Sequence, residues 1–262
     1  MKSTLAGRTI CIIGGNGFVG TALAHQAVNL GAKVFAVSRS GTPSSKSDWA
    51  NRVQWVKGDS LNPDSFKDVL EESESVVHTV GVLLDSTITQ FKKPGDDGSY
   101  EQMNRDTAIS IGKTLNDMNK NKKMIYLSAS KNPPFITRYL STKREAENYL
   151  LNLPHLRTTI LRPGFISSDE APGKKILSYP VGVYAHLTQF LSRVAGPNSS
   201  AGDFIKKIEA DTTVDVRAVA LSALIASFDP KFDGKILYNE DMETLKGRFL
   251  ERGYEFPSKS EQ

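Results

Sequence analysis

Cysteine is almost absent from the 262-residue sequence, which contains only Cys11. A single cysteine cannot form an intramolecular disulfide, so the sequence excludes a disulfide-stapled secreted scaffold and fits a reducing compartment, the cytosol or the mitochondrial matrix. Cys11 lies inside the apolar run TICIIG, and this position predicts a buried structural thiol instead of a reactive one.

Long hydrophobic runs are also missing. No apolar stretch reaches the roughly 18–20 residues that a membrane-spanning helix needs. With 39% hydrophobic and 24% charged residues, the composition fits an ordinary soluble globular protein, and one elaborated domain is expected instead of two equal ones.

Acidic residues are absent before Asp48, while the same stretch carries five basic residues: Lys2, Arg8, Lys33, Arg39 and Lys46. An acid-poor start is typical of mitochondrial targeting segments, but the first core strand begins by about Thr9 and leaves little room for a cleavable one, so targeting stays open.

The net charge is +4, yet no basic run is interleaved with aromatic residues. The sequence therefore predicts no nucleic-acid partner.

Short apolar runs alternate with helical patterns through the first two thirds of the chain. The predicted strands are TICII, KVFAV, VQWVK, SVVHTV, KMIYLS and TTILR, with helices beginning near Gly17, Pro63, Tyr100 and Thr137. This alternation predicts an α/β, doubly wound Rossmann fold with a parallel sheet. A helix from about Val216 to Ser227, a strand KILYN and a closing helix follow.

Two insertions interrupt the alternation. LLDSTITQFKKPGDDGSY is polar and predicts a surface loop, and residues 165 to 212 show no βα unit. The predicted organisation is therefore a Rossmann domain over 1–164, a small C-terminal substrate or partner lobe integrated with it over 165–256, and a disordered tail over 257–262.

The motif GGNGFVG follows the first strand and opens a helix, with Gly14, Gly17 and Gly20 at three-residue spacing. Glycine permits a tight turn and close approach of the backbone to a pyrophosphate, while the helix N-terminus offers free N–H groups. A bare glycine turn is the alternative, but the strand before and the helix after favour dinucleotide binding.

The end of the second strand bears on cofactor choice. An acid at this position would bond the ribose of NAD, but the sequence has Arg39 between Ser38 and Ser40. A guanidinium beside two hydroxyls suits a 2′-phosphate, so NADP is the predicted cofactor, with a solvated arginine as the alternative. Asp59, in KGDS, is placed to accept from the adenine amino group or to serve as an ordinary turn residue.

These motifs, in this order, resemble the short-chain dehydrogenase/reductase superfamily in its extended or atypical branch. The resemblance spans about residues 10 to 165 and rests on GGNGFVG, GDS, VVHTVG, MNRDT, YLSAS, YLSTK and LRPG. Within the superfamily, HTVGVLL, SRSG, YEQMN, STKREAE and RPGF look most like the NADPH-binding accessory subunit of respiratory complex I and a fungal relative associated with the coenzyme Q biosynthetic complex.

The resemblance implies a catalytic set of Tyr139, Lys143 and a serine, Ser128 or Ser130, of which Ser128 is preferred. In the family the tyrosine is the general acid/base, and the lysine holds the nicotinamide ribose and lowers the pKa of the tyrosine. An ammonium one helical turn from a phenol favours the phenolate, so this chemistry is physically reasonable. A surface helix that happens to carry both residues is the alternative. The connection SKNPPFIT, which leads to Tyr139, is shorter than the loop that extended members of the family usually have there. The short connection argues against contact between the serine hydroxyl and a substrate.

The same resemblance implies which residues contact the cofactor. They are Gly14, Asn16, Gly17, Phe18, Val19, Ser38, Arg39, Asp59, Ser60, Gly81, Asn104, Lys143 and Pro163. Asn104 is expected to support Lys143 through a water, with a helix-surface asparagine as the alternative. His78 is expected to pack beside the cofactor, and no metal site is assigned because His78 lacks partners at ligand spacing.

The segment VGVYAHLTQFLSRVAG predicts an amphipathic helix at 181 to 195. It could cover core, line a pocket for an isoprenoid quinone precursor, or meet a membrane or partner. The resemblance implies a mitochondrial protein on the matrix side of the inner membrane, with peripheral membrane contact and coenzyme Q biosynthetic proteins as partners. Its role would be that of a complex member or regulator, or alternatively an NADPH-dependent oxidoreductase acting on a quinone-like or carbonyl substrate.

Overall fold

A computed structural model describes residues 5–82, 92–130, 137–168 and 213–253 of the chain. Its main sheet has seven strands, all parallel, in the order β3-β2-β1-β4-β5-β6-β9. The strands are β1 Thr9–Ile13, β2 Lys33–Ser38, β3 Gln54–Lys57, β4 Ser75–His78, β5 Lys122–Leu127, β6 Leu156–Leu161 and β9 Ile236–Leu237. The predicted doubly wound Rossmann fold is confirmed, and each predicted strand is present with ends that differ by at most two residues.

Helices cover both faces of this sheet. The helices are α1 Phe18–Asn29, α2 Lys67–Glu72, α3 Thr107–Asp117, α4 Thr137–Leu151, α5 Val216–Phe228 and α6 Asn239–Glu251. Within the described ranges, short 3₁₀ helices lie at Asp48–Arg52, Pro63–Phe66 and Pro230–Phe232, and a π-helix at Glu101–Asp106 leads into α3.

The core divides into two layers because successive side chains of a strand point to opposite faces. In β1, Ile10 and Ile12 join the layer that contains α1 and α5, while Cys11 and Ile13 join the layer that contains α2, α3 and α4. Cys11 is fully buried, as predicted, and burial raises the pKa of its thiol.

The strand order places a crevice at the carboxyl end of β1. The chain runs outward from β1 through β2 to β3 and then returns to β4 on the other side of β1. Ligands of open α/β sheets bind outside the carboxyl ends of the strands at such a reversal. The turns after β1, β2 and β4 are therefore the expected site.

The C-terminal helices and strand pack against the Rossmann sheet and its helices. Helix α5 packs against α1 and α6, and β9 pairs with β6. A second, two-stranded sheet joins β7 Phe165–Ser167 to β8 Thr213–Asp215 in parallel. The sequence analysis missed this sheet because its strands are three residues each and far apart in the chain. The boundary at residue 164 between the Rossmann domain and the C-terminal lobe stays a prediction. The segments predicted as an amphipathic helix (181–195) and as a disordered tail (257–262) lie outside the described residues.

Two neighbouring lysines of β5 form hydrogen bonds to the C-terminal ends of helices on opposite faces of the sheet. The ammonium of Lys122 donates to the carbonyls of Glu71 and Ser73, where α2 ends, at 2.6 and 2.5 Å. The ammonium of Lys123 donates to the carbonyl of Asp229, just beyond α5, at 2.8 Å and pairs with Asp233. Cations are favourable at helix C-termini, so both lysines hold their helices against the sheet.

Replacing Lys123 by Met is expected to lower the free energy of unfolding by about 1–3 kcal/mol, because buried acceptors lose a charged donor. The matched control is Lys231→Met, which removes a largely exposed cation that pairs with Asp229; its effect should stay within about 0.5 kcal/mol. Chemical denaturation measures both. Equal effects would contradict the role given to Lys123.

Candidate functional site

The turn from β1 into α1 has no space for side chains at its glycine positions. Gly14 has a φ of +90°, and a Cβ there would lie 2.8 Å from the hydroxyl of Thr79. A Cβ on Gly15 would lie 2.7 Å from the Cβ of Ala36 in β2, and one on Gly20 would lie 2.2 Å from the carbonyl oxygen of Gly14. The three predicted glycines and Gly15 thus let strand, turn and helix approach closely.

Helix α1 begins at Phe18, and the extended Gly17 before it has no side chain to cap the helix. The first turn, which contains Phe18 and Val19, contains no acidic residue. Uncapped N–H groups at a helix N-terminus favour anions, and a phosphate would meet no carboxylate from this turn. The turn therefore fits the pyrophosphate of a dinucleotide.

Asn16 joins this turn to the loop after β2. The two protons of its side-chain NH₂ group are shared among three acceptors, the hydroxyls of Ser38 and Ser40 and the carbonyl of Thr42, at 3.1, 3.0 and 2.7 Å. Its side-chain oxygen accepts from the backbone N–H of Ser44 at 3.0 Å. One side chain therefore fixes the whole loop from residue 38 to residue 44 beside the glycine turn.

Arg39 lies on this loop with its side chain exposed, while Ser38 is half-buried. Among the residues that the structure describes, Arg39 forms no ion pair and its side chain makes no hydrogen bond. Arg39 follows the end of β2, at the same edge of the sheet as the glycine turn.

Asp59 and Ser60 follow β3 at the same edge of the sheet. Asp59 is exposed, and its carboxylate accepts from the backbone N–H of Leu61 at 2.9 Å. This contact is that of a turn aspartate, one of the two roles that the sequence left open. The adenine contact of Asp59 and the cofactor contact of Ser60 stay predictions.

Asn104 and Lys143 meet at the turn after β4. Asn104 is fully buried, exchanges two hydrogen bonds with the backbone of Val82, both 2.9 Å, and accepts on its own carbonyl from the hydroxyl of Tyr126 at 2.6 Å. A Cβ on Gly81 would lie 2.7 Å from both the Asn104 side-chain oxygen and the Lys143 ammonium. Gly81 thus provides space for both groups, and Asn104 is not the surface asparagine that was the alternative.

Lys143 is buried, with 3% of its surface exposed. Its ammonium donates to the carbonyls of Leu127 at 2.9 Å and Val80 at 3.4 Å, and it lies 4.9 Å from the centre of the Tyr126 ring. Burial lowers its pKa to about 7, and the charge of Glu147 opposes that shift. The surface-helix alternative for Lys143 is therefore excluded.

Tyr139 lies one turn before Lys143 on α4 and is also buried. Its ring meets that of Tyr100 edge to face, with centroids 6.3 Å apart. Arg138 covers the Tyr100 ring and pairs with Glu101 in the π-helix. Single-turn π distortions are frequent at functional sites. The helix that carries the YxxxK pair is thus held against Glu101–Asp106 by an ion pair and aromatic contacts.

Ser128 is tied to a buried carboxylate that the sequence analysis did not identify. Its hydroxyl donates to Glu147, whose side chain is 3% exposed. Arg144 donates to the Ser128 hydroxyl at 3.1 Å and also to Glu147. Arg162 donates to both carboxylate oxygens of Glu147 and to the hydroxyl of Tyr238. The motif KREAE, with a glutamate four residues after Lys143, was the only sequence signal for this cluster.

Pro163 and Ser130 lie together beyond β6 and β5. The backbone N–H of Ser130 donates to the carbonyl of Pro163 at 2.7 Å. Ser130 is half-buried, and no hydrogen bond joins its hydroxyl to the described residues. Ser130 is therefore the less constrained of the two serines that the sequence analysis considered.

His78, at the end of β4, is fully buried beside the Tyr126 ring, 5.7 Å between centroids. Burial lowers its pKa to about 3, so the imidazole is neutral at physiological pH. Neither ring nitrogen has a partner among the described residues. Within the same ranges, no group of His, Cys, Asp or Glu is placed to hold a metal, and no helix is long and apolar enough to cross a membrane.

Lys143 generates a testable pH dependence. Its pKa is about 7 in the folded protein and about 10.4 in an unfolded chain. Between these values the folded state binds fewer protons, so the stability that this group contributes rises with pH, by up to about 1.4 kcal/mol per unit, and is lost as the pH falls towards 7. The free energy of unfolding of the parent, minus that of Lys143→Met, should therefore rise from pH 7 to 10. A flat difference in chemical denaturation would contradict the shift.

Comparison with known proteins places this geometry in a family. Residues 14–183 match the family model described as NAD(P)H-binding. The chain is 32% identical over 202 residues to the MIOREX complex component 2 of Saccharomyces cerevisiae, covering 61% of this chain and 73% of the yeast protein. It is 33% identical over 162 residues to an uncharacterized chloroplastic protein of Arabidopsis thaliana, covering 60% and 50%.

A solved structure supports the same fold. The short-chain dehydrogenase family protein of Francisella tularensis superposes with a TM-score of 0.62 at 14% identity, covering 89% of this chain and 97% of that one. At this identity the likeness concerns the fold alone. With the family match over residues 14–183, it confirms the resemblance drawn from the motifs: the chain belongs to the NAD(P)H-binding family and has the fold of short-chain dehydrogenases/reductases.

Proposed function

We propose that this chain binds NADP(H) in preference to NAD(H). The observation that carries the proposal is the hydrogen-bonded connection, through Asn16, between the glycine turn and the Ser38–Arg39 end of β2. A pyrophosphate at the N-terminus of α1 and a phosphate beside Arg39 need these two segments at the same edge of the sheet. The exposed guanidinium supplies the positive charge that a 2′-phosphate requires.

The proposed contacts fall into four groups, one for each part of the dinucleotide. The residues Gly14, Asn16, Gly17, Phe18 and Val19 would surround the pyrophosphate, and Ser38 and Arg39 the 2′-phosphate. Asp59 and Ser60 would adjoin the adenine, and Gly81, Asn104, Lys143 and Pro163 the nicotinamide half. When bound, the nicotinamide supplies or accepts a hydride.

Replacing Arg39 by Asp is expected to reverse the cofactor preference, because a carboxylate accepts from a ribose diol and repels a phosphate. NADPH affinity should fall about 100-fold, by the loss of a charged hydrogen bond and the gain of a repulsion. Calorimetric titration of both cofactors measures the change. Lys46→Asp is the matched control, because it makes the same charge change at an exposed neighbouring position. Equal affinities for the two cofactors in the parent would remove Arg39 from this role.

For the wider role, we infer a nucleotide-dependent member or regulator of the mitochondrial coenzyme Q biosynthetic complex, on the matrix side of the inner membrane and in peripheral contact with it. The motif resemblance to a complex I accessory subunit and to a fungal coenzyme Q protein supports this inference. The name of the yeast relative, a complex component, agrees with an assembly role. A ligand of the folded state stabilises it without turnover, so bound NADP(H) could support a scaffold.

The hydroxyl of Ser128 favours the assembly role over catalysis. In the proposed oxidoreductase, a serine hydroxyl would orient a carbonyl or quinone-like substrate while Tyr139 transfers the proton. Here the Ser128 proton is donated to Glu147. Catalysis would therefore need Ser130, whose hydroxyl is not engaged by that cluster, or a rearrangement around Glu147.

The second candidate function, NADPH-dependent oxidoreductase, rests on the burial of Tyr139 and Lys143 one helical turn apart. Proton transfer by a positioned side chain typically contributes about 10²–10⁴-fold to a rate. If the chain is an enzyme, Tyr139→Phe should lower turnover by that order with a quinone-like substrate and NADPH. Absorbance at the nicotinamide band measures it.

Complementation of a yeast strain that lacks the relative separates the two candidates. The assembly role predicts that Tyr139→Phe restores quinone levels, whereas Arg39→Asp, which loses NADP(H), does not. Tyr149→Phe is the control, since Tyr149 is an exposed tyrosine of the same helix. Failure of Tyr139→Phe, in a protein that folds and binds NADPH, would make the chain an enzyme.

A further inference from the structure

The loop after β2 is organised by one side chain. Asn16 donates to two hydroxyls and one carbonyl of the segment 38–44 and accepts from a backbone N–H of the same segment. The side chains of the serines and threonine of this segment are exposed or half-buried. Without Asn16, the segment would keep few side-chain contacts to the glycine turn.

The hydrogen bonds of Ser38 leave its proton available. The Ser38 oxygen accepts from Asn16 at 3.1 Å and from the backbone N–H of Gly41 at 3.1 Å. A hydroxyl has two acceptor sites and one donor, so its acceptor capacity is filled and its O–H is left to donate. The only hydroxyl neighbour in the described ranges, Ser40, lies at the longer distance of 3.3 Å.

Ser40 differs from Ser38, because its proton is already donated within the loop. Its oxygen accepts from Asn16 at 3.0 Å, and its own proton reaches the carbonyl of Thr42 at 3.2 Å. Arg39, between the two serines, contributes an exposed guanidinium that forms no ion pair with the described residues. The Ser38 hydroxyl and this cation, on a loop held by one amide, form a receptor for an oxyanion with several acceptor oxygens.

We propose that Asn16 is a positioning residue of the 2′-phosphate subsite, which supports the selectivity given by Arg39 by holding the loop 38–44 and turning the Ser38 hydroxyl towards the phosphate. This inference rests on the proposed binding of NADP(H) and assigns Asn16 a role other than the direct cofactor contact expected from the motif. The amide orders the loop before the ligand arrives, so binding a phosphate does not require ordering it. The diol of NAD, which lacks the phosphate, gains little from the same arrangement.

The test compares Asn16→Ala with the parent by calorimetric titration of NADPH, NADH and adenosine 2′,5′-bisphosphate. Loss of a preorganised loop is expected to weaken NADPH and the bisphosphate about tenfold while NADH changes less than about twofold. Thr42→Ala is the matched control, because Thr42 receives the Asn16 hydrogen bond on its backbone carbonyl. Its affinities should equal those of the parent.

The outcomes are distinct. Equal weakening of NADPH and NADH by Asn16→Ala, with folding intact by circular dichroism, would overturn the inference and assign Asn16 to the glycine turn alone. No weakening of either would also overturn it. A parent protein that binds neither dinucleotide would instead refute the proposed function, and the inference with it. Asn16→Asp, which removes the donors but keeps the shape, should lose NADPH selectivity at least as strongly as Asn16→Ala.

Discussion

The glycine positions of the turn between β1 and α1 have no room for side chains, and the placement of the candidate site depends on this constraint. A Cβ on Gly15 would overlap Ala36, so β2 can lie this close only beside glycine. That closeness brings the end of β2 within reach of Asn16. A short glycine-rich turn thus determines both where a pyrophosphate would lie and which loop would meet the adenosine ribose.

The part of the site proposed for the nicotinamide half depends on a second close approach, that of Asn104 and Lys143 to Gly81. Gly81 separates Asn104 from Lys143, and any side chain there would displace one of them. Lys143 is consequently held by backbone carbonyls in a site where burial disfavours its charge. Glu147, one turn further along α4, opposes this effect and also holds Ser128. The helix that carries Tyr139 and Lys143 therefore also carries the carboxylate that raises the pKa of Lys143 and holds the hydroxyl of Ser128.

Most of the fold was predictable because its signals are local. The alternation of TICII and KVFAV with helical patterns, and the glycine spacing after β1, depend on a few neighbouring residues. The sheet of β7 and β8 was missed because its strands meet across a long intervening segment. Glu147 was missed for a similar reason: its partners come from β5, α4 and the turn after β6, and no spacing in the sequence brings them together.

In the candidate site, too, the sequence predicts individual residues, whereas their contacts with one another depend on the fold. The sequence identified Asn16, Ser38 and Arg39 individually, but only the structure shows that one amide connects the two serines. The burial of Asn104, Tyr139 and Lys143 likewise follows from packing against β4, β5 and the π-helix. Residue types thus indicate the kind of chemistry, whereas the three-dimensional contacts decide which groups are free to perform it.

A crystal structure of the protein with NADPH tests the central claim most directly. We expect the pyrophosphate at the N-terminus of α1, over Gly14 to Phe18, and the 2′-phosphate in contact with Ser38 and Arg39, with the Asn16 hydrogen bonds to Ser38 and Ser40 retained. A 2′-phosphate directed into solvent, or an adenosine half bound away from the end of β2, would contradict it.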